Sequence, residues 1–134
     1  MATVESIFNV YYGNSLPLNQ MEQCNHEKDS DCVNFVSRTR QNNGVSAIVN
    51  KVGSIKPFDA GLITVAGSGN SVMEACVQES AFYTGYHVFV LEPKREMSFE
   101  EKMYYCLCLR HNRYRFNYDS SEKSLNLHEV EAWA

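Results

Sequence analysis

The sequence predicts an α/β (α+β) domain, mostly short β-strands with one main helix, and three observations carry that reading. Apolar runs rich in Val, Ile, Phe and Tyr recur through the middle of the chain, a glycine-rich stretch separates two of them, and a helix-capping pattern follows Pro93. With 134 residues, 44% of them hydrophobic and 21% charged, the chain has the composition of one compact globular unit over 1–134. Disordered, collagen-like and coiled-coil classes are excluded.

Taken in order, residues 5–10 leave a helical turn and a strand equally open. Strand composition then appears at 33–36, 45–49, 62–65, 72–77 and 87–91. Between the third and fourth runs lies Gly67-Ser68-Gly69-Asn70-Ser71, whose glycines permit the positive φ of a tight reversal, so a hairpin is predicted near 62–77. After Pro93, Ser98 is a candidate N-cap and Glu101, three residues on, completes a capping box. The main helix is predicted near 99–112, regular to about Arg110, with Phe99, Met103, Cys106 and Leu107 on its buried face. Residues 125–133 carry the pattern of a short terminal helix within an acidic tail, 119–134.

No stretch approaches the roughly 18 apolar residues of a membrane span, and residues 1–11 hold Glu5 and no basic residue, so no membrane partner and no cleaved leader are expected. Five cysteines without a regular framework predict reduced thiols and a cytoplasmic location. The net charge of −4 opposes nucleic-acid binding, but its distribution does not: residues 1–31 and 119–134 are acidic, whereas 32–118 carry ten basic against seven acidic side chains.

Metal and catalytic chemistry find little footing. Cys24, His26 and Cys32 lack the second ligand pair that a zinc tetrahedron needs, and Cys106 and Cys108 point to different faces of a helix. The Gly67–Asn70 stretch lacks the Gly-Lys-Ser/Thr of a phosphate loop and the Gly-x-Ser-x-Gly of a nucleophile elbow. Asp59, Glu92 and Lys94 could flank a divalent cation, yet Pro93 reads more simply as the end of a strand. No catalytic residue, metal site or cofactor is expected.

Two polar clusters read differently. Residues 110–118 hold Arg110, Arg113 and Arg115 interleaved with Asn112, Asn117, Tyr114, Phe116 and Tyr118, and no acid. Arginine binds phosphate or guanine bidentately, asparagine pairs with adenine, and rings pack on sugars or bases. The alternative is a helix end whose cations complement the dipole while its rings fill a core. Residues 37–44, with Arg38, Arg40, Asn42 and Asn43, form a second acid-free loop; Asn43-Gly44 is a turn signal, which leaves the two arginines unexplained.

The order of Tyr12-Gly13-Asn14, the 33–39 and 42–45 segments, Leu62 to Asn70, Tyr86 to Lys94 and Arg113 to Tyr118 resembles a target recognition domain of the DNA specificity subunits of type I restriction–modification systems. The resemblance implies a non-catalytic module that reads part of a duplex DNA site and positions a methyltransferase or restriction partner, which flips the target base. Carried over by position, it places DNA contacts at Arg38, Arg40, Asn42, Asn43, Ser68, Asn70, Arg113 and Arg115. The chain departs from the pattern in carrying one such unit, in the acidic Asp119-Ser120-Ser121-Glu122 after Tyr118, and in its negative charge. Those departures suit an alternative: a stand-alone, phage-encoded relative that binds a restriction or other defence protein as a decoy or DNA mimic.

Overall fold

A computed structural model describes residues 4–24, 31–69 and 71–112. One helical turn, α1 (Val4–Ile7), runs directly into strand β1 (Phe8–Tyr12), so both readings of the first segment hold in sequence. Strands β2 (Cys32–Val36), β3 (Val45–Asn50), β4 (Ile63–Ala66), β5 (Ala75–Val77), β6 (Phe82–Thr84) and β7 (Val88–Pro93) follow, and helix α2 (Phe99–His111) comes after them. They form a four-stranded antiparallel sheet of order β1-β7-β4-β5 and a three-stranded sheet of order β3-β2-β6, in which β2 pairs antiparallel with β3 and parallel with β6. The class is α+β.

The two sheets divide the side chains of β7 with the period of two that a strand imposes. Phe89 and Leu91 enter a core with Ile63, Val65, Cys106 and Leu109, beneath α2. Val88 and Val90 enter another with Val36 and Phe82 of the smaller sheet. Being covered on both faces makes β4 and β5 buried throughout and explains their continuous apolar composition. The outer face of the smaller sheet closes over Val33, Phe35, Val49 and Tyr83, with Leu16 and Leu18 packed against them. The Tyr83 hydroxyl, fully buried, donates to the Ile55 carbonyl at 2.7 Å and accepts from the Val52 N–H at 2.9 Å, so its polar end is satisfied.

Several expectations need correction. The run 72–77 is strand only from Ala75; Val72 and Met73 are buried in the reversal itself, with Met73 at φ 65° and its N–H donating to the Ala66 carbonyl at 2.9 Å. Burial there comes from a turn folded under the sheet, which apolar composition alone does not separate from a strand. Gly69 takes the expected positive φ of 81°, but Gly67 is there for a different reason: a Cβ on it would lie 2.8 Å from Phe89 Cε2 and 2.9 Å from the His87 carbonyl oxygen. Strand β6 escaped prediction because its three residues, Phe82–Thr84, are too few to show a period.

The cysteines are not all reduced. Cys24 and Cys32 are joined by a disulfide with a Cα–Cα distance of 6.3 Å, within the range that bridges favour. The cause is topological: Cys32 lies opposite Asn50 in the β2–β3 ladder, and the Cys24 N–H donates to the Ile48 carbonyl at 2.8 Å, so one strand brings both sulfurs to the same place. Cys76 and Cys106 are free and buried, and Cys108 is free and partly exposed. Burial raises the Cys76 thiol and pushes that of Cys106 up to about 12. Both thiols should resist alkylation in the folded protein at pH 8 and react after unfolding, counted by mass spectrometry. Because the unfolded thiol ionises first, the contribution of Cys106 to stability is complete below its ordinary pKa and falls as pH rises from there towards about 12.

Helix α2 begins as predicted. The Ser98 hydroxyl accepts from the Glu101 N–H at 3.2 Å, while the Glu101 carboxylate pairs with Arg95, which holds that carboxyl below its usual range. Ser98→Ala should cost about 1 kcal/mol, read as a shift in the urea midpoint at unchanged slope. The buried face is turned from the predicted one: Cys106 is buried and Met103 partly so, as expected, but Leu109 is buried and Tyr105 partly so in place of Phe99 and Leu107, which are 52% and 57% exposed. The rotation is set by two cations. Lys102 Nζ donates to the Gly61 carbonyl at 2.8 Å, and Arg110 donates twice to the Ala75 carbonyl, at 3.0 and 2.7 Å, while its Nε lies 3.2 Å from Glu74. Residues 102, 106, 109 and 110 share one helical stripe, so these anchors and the buried pair demand the same orientation.

Candidate nucleic-acid interface

The loop joining β2 to β3 reverses through three consecutive left-handed residues, Asn42 (φ 50°), Asn43 (φ 56°) and Gly44 (φ 82°). Asparagine tolerates that region better than most residues and glycine best, which is why Asn-Asn-Gly sits here. Asn42 Nδ2 donates to the Val45 carbonyl at 3.2 Å, and the Ser37 N–H donates to the Gly44 carbonyl at 2.9 Å, closing the loop on itself.

This loop is sewn to the β4–β5 region. Arg38 donates from a guanidinium nitrogen to the Ser68 hydroxyl at 2.7 Å. Asn43 Nδ2 donates to the Val77 carbonyl at 2.7 Å, and the buried Gln78 side chain donates to the Asn43 carbonyl at 2.8 Å and to the Thr64 hydroxyl at 3.0 Å. The 37–44 loop and residues 67–69 of the glycine-rich stretch are thus held together. Of these residues, Arg38 and Arg40 are exposed, Ser68 is 3% exposed, and Asn43 is committed to the backbone of β5. Ser68 therefore positions the Arg38 guanidinium, leaving that group's remaining N–H donors toward solvent-accessible space. Glu74, the one acid in the 67–74 loop, is paired with Arg110 and does not neutralise Arg38.

The arrangement splits the first loop. Asn42 and Asn43 line an open cleft of about 620 Å³ together with Asn34, Ser46, Lys51 and Gln78. Arg38 and Ser37 line a different groove, of about 490 Å³, whose other walls are Leu16, Leu18, Phe35 and Tyr86. Asn70, Arg113 and Arg115 lie outside the described residues, as do His26 and the acidic tail 119–134. Arg110 and Asn112, at the start of the basic and aromatic stretch, are described: Arg110 anchors α2, and buried Asn112 donates from Nδ2 to the Cys108 carbonyl at 2.9 Å. Glu92, weighed above as a metal ligand, accepts from Asn9 Nδ2 and from the Tyr11 hydroxyl, each at 3.2 Å, and that bond holds the Tyr11 phenol above its usual range.

Sequence reasoning missed the third loop of this surface, the turn between β6 and β7. Its only sequence signal is an aromatic residue directly after Gly85. There Tyr86 is 54% exposed, and His87 adopts φ 61°. The His87 carbonyl accepts from the Gly67 N–H at 2.6 Å, and its Nδ1 lies 2.6 Å from the Tyr12 hydroxyl. Gly85 N–H donates to the Val36 carbonyl at 2.9 Å, so this turn is tied to both of the other loops' strands.

Among the described residues no helix is long and apolar enough to cross a membrane. No curated protein matches the chain. In a crystal structure of the S subunit of a type I restriction–modification system from M. genitalium, a fold similar to this one is found with a TM-score of 0.66 and 15% sequence identity, covering 93% of this chain and 30% of that one. The chain therefore spans less than a third of the length of that subunit. Residues 2–133 match the type I restriction modification DNA specificity domain. The chain belongs to that family of DNA specificity domains.

Proposed function

We propose that this domain recognises a sequence in duplex DNA, without catalysing a reaction itself, as one recognition module of a specificity subunit that positions a methyltransferase or restriction partner. The observation that carries the reading is the Arg38–Ser68 contact, which presents an exposed guanidinium from a surface where the two loops are locked together and where neighbouring Glu74 is already paired. Preorganised cations bind phosphate or a guanine edge without losing further side-chain entropy. Arg40, Asn70, Arg113 and Arg115 are assigned to the same DNA surface on the family's pattern, Asn42 to a DNA contact from the neighbouring cleft, and Asn43 and Ser68 to holding the surface. The basic middle of the chain supports phosphate binding despite the net charge of −4.

Nothing among the comparisons favours the alternative of an anti-defence decoy. The test is a binding selection on random duplex DNA at low and moderate salt, run beside capture from bacterial lysate. Enrichment of one short sequence supports recognition. Capture of a defence protein with no enriched duplex at either salt refutes it.

A further inference from the structure

The β6–β7 turn is more tightly fixed than a surface turn needs to be. His87 sits in the left-handed region at φ 61°, which costs a residue with a Cβ on the order of 1 kcal/mol. It is kept there by the Gly67 N–H on its carbonyl and by the Tyr12 hydroxyl on its ring. On the near side, Thr84 is pinned by Asn14, whose N–H donates to the Thr84 hydroxyl at 2.7 Å while its Oδ1 accepts from the Thr84 N–H at 3.0 Å. Two glycines make the close approach possible: a Cβ on Gly13 would lie 2.1 Å from the Thr84 hydroxyl oxygen, and one on Gly67 would meet the His87 carbonyl. What this frame displays is Tyr86, an exposed ring that contributes nothing to the cores.

Tyr86 and Arg38 stand on one groove, with Leu16, Leu18 and Phe35 as its apolar part. A guanidinium beside an apolar wall and an exposed ring offers one charged and one apolar contact to the same ligand. A DNA strand has that composition, a phosphate joined to a sugar and base edge. Resting on the recognition reading above, we infer that Tyr86 is a further DNA-contacting residue, its ring packing against the sugar and base edge of a nucleotide in the strand whose phosphate Arg38 holds. Strain at His87 fits this role, since a surface aromatic that contacts a ligand binds more tightly when it is not free to move.

The experiment compares the 134-residue chain with Tyr86→Ala, Tyr86→Phe and Arg38→Ala on the duplex enriched from a random pool, titrated over a range of salt. Tyr86→Ala should weaken binding about tenfold with the wild-type salt slope, because an apolar contact releases no counterion, and Tyr86→Phe should stay within about twofold of wild type. Arg38→Ala should reduce the slope by about one unit. Tyr86→Ala within twofold of wild type, while Arg38→Ala loses slope, overturns the inference and leaves DNA recognition standing. Tyr86→Phe as weak as Tyr86→Ala overturns it also, by assigning the contact to the hydroxyl. A wild-type chain that binds no duplex at low salt overturns both readings together. Because Tyr86 is exposed, the two Tyr86 variants should melt like wild type, which a thermal scan checks.

Discussion

Leu109→Ala is expected to destabilise the domain by about 2 to 5 kcal/mol, whereas Leu107→Ala, two positions earlier, changes stability by less than about 0.5 kcal/mol. Leu109 is 1% exposed in the core beneath α2, and truncating it removes buried methyl groups and leaves a cavity among Ile63, Val65 and Leu91. Leu107 is 57% exposed, so its truncation changes little that water did not already touch. Paired urea melts of the two variants against wild type read the difference directly. The reverse order would mean that α2 is turned by roughly a quarter of a revolution, toward Phe99 and Leu107, and that the Lys102 and Arg110 anchors are wrong.

Arg38→Ala is expected to lower affinity for the enriched duplex by about 1 to 3 kcal/mol, some 5- to 150-fold. The form of the loss separates two roles. A phosphate contact gives uniform weakening across sequences and a salt slope reduced by about one unit; a guanine contact confines the loss to one base pair. Ser68→Ala should follow in the same direction with a smaller effect, since it frees the guanidinium without removing it.

Much of the fold can be read from local chemistry, and the failures share a cause. Strands β2, β3, β4 and β7 show as runs rich in Val, Ile and Phe, the residues that strands favour, and the Ser98 cap and the Asn43-Gly44 turn are local devices whose partners lie within a few residues. The face of α2 is not local. Phe99, Met103, Cys106 and Leu107 make as good a stripe as Met103, Cys106 and Leu109, and the choice rests on carbonyls at Gly61 and Ala75, far away in sequence. The Cys24–Cys32 bridge is equally distant in origin, produced by the common approach of both residues to β3. The candidate site divides in the same way. Arg38 stands out in the sequence as an unexplained cation in an acid-free loop, and its fixing by Ser68 joins two loops that were recognised separately. Tyr86 was hidden because its role depends on three loops meeting, through Gly13, Gly67 and His87, and one exposed tyrosine in a sequence carries no such information.

The central claim, that this domain reads DNA sequence, is tested most directly by competition: labelled enriched duplex bound to the wild-type chain, displaced by unlabelled enriched duplex or by a shuffled duplex of the same composition. Recognition predicts that the shuffled competitor is at least about a thousandfold weaker at moderate salt, the usual margin of specific over non-specific binding. Equal displacement by the two duplexes, or no measurable binding at low salt, would contradict it.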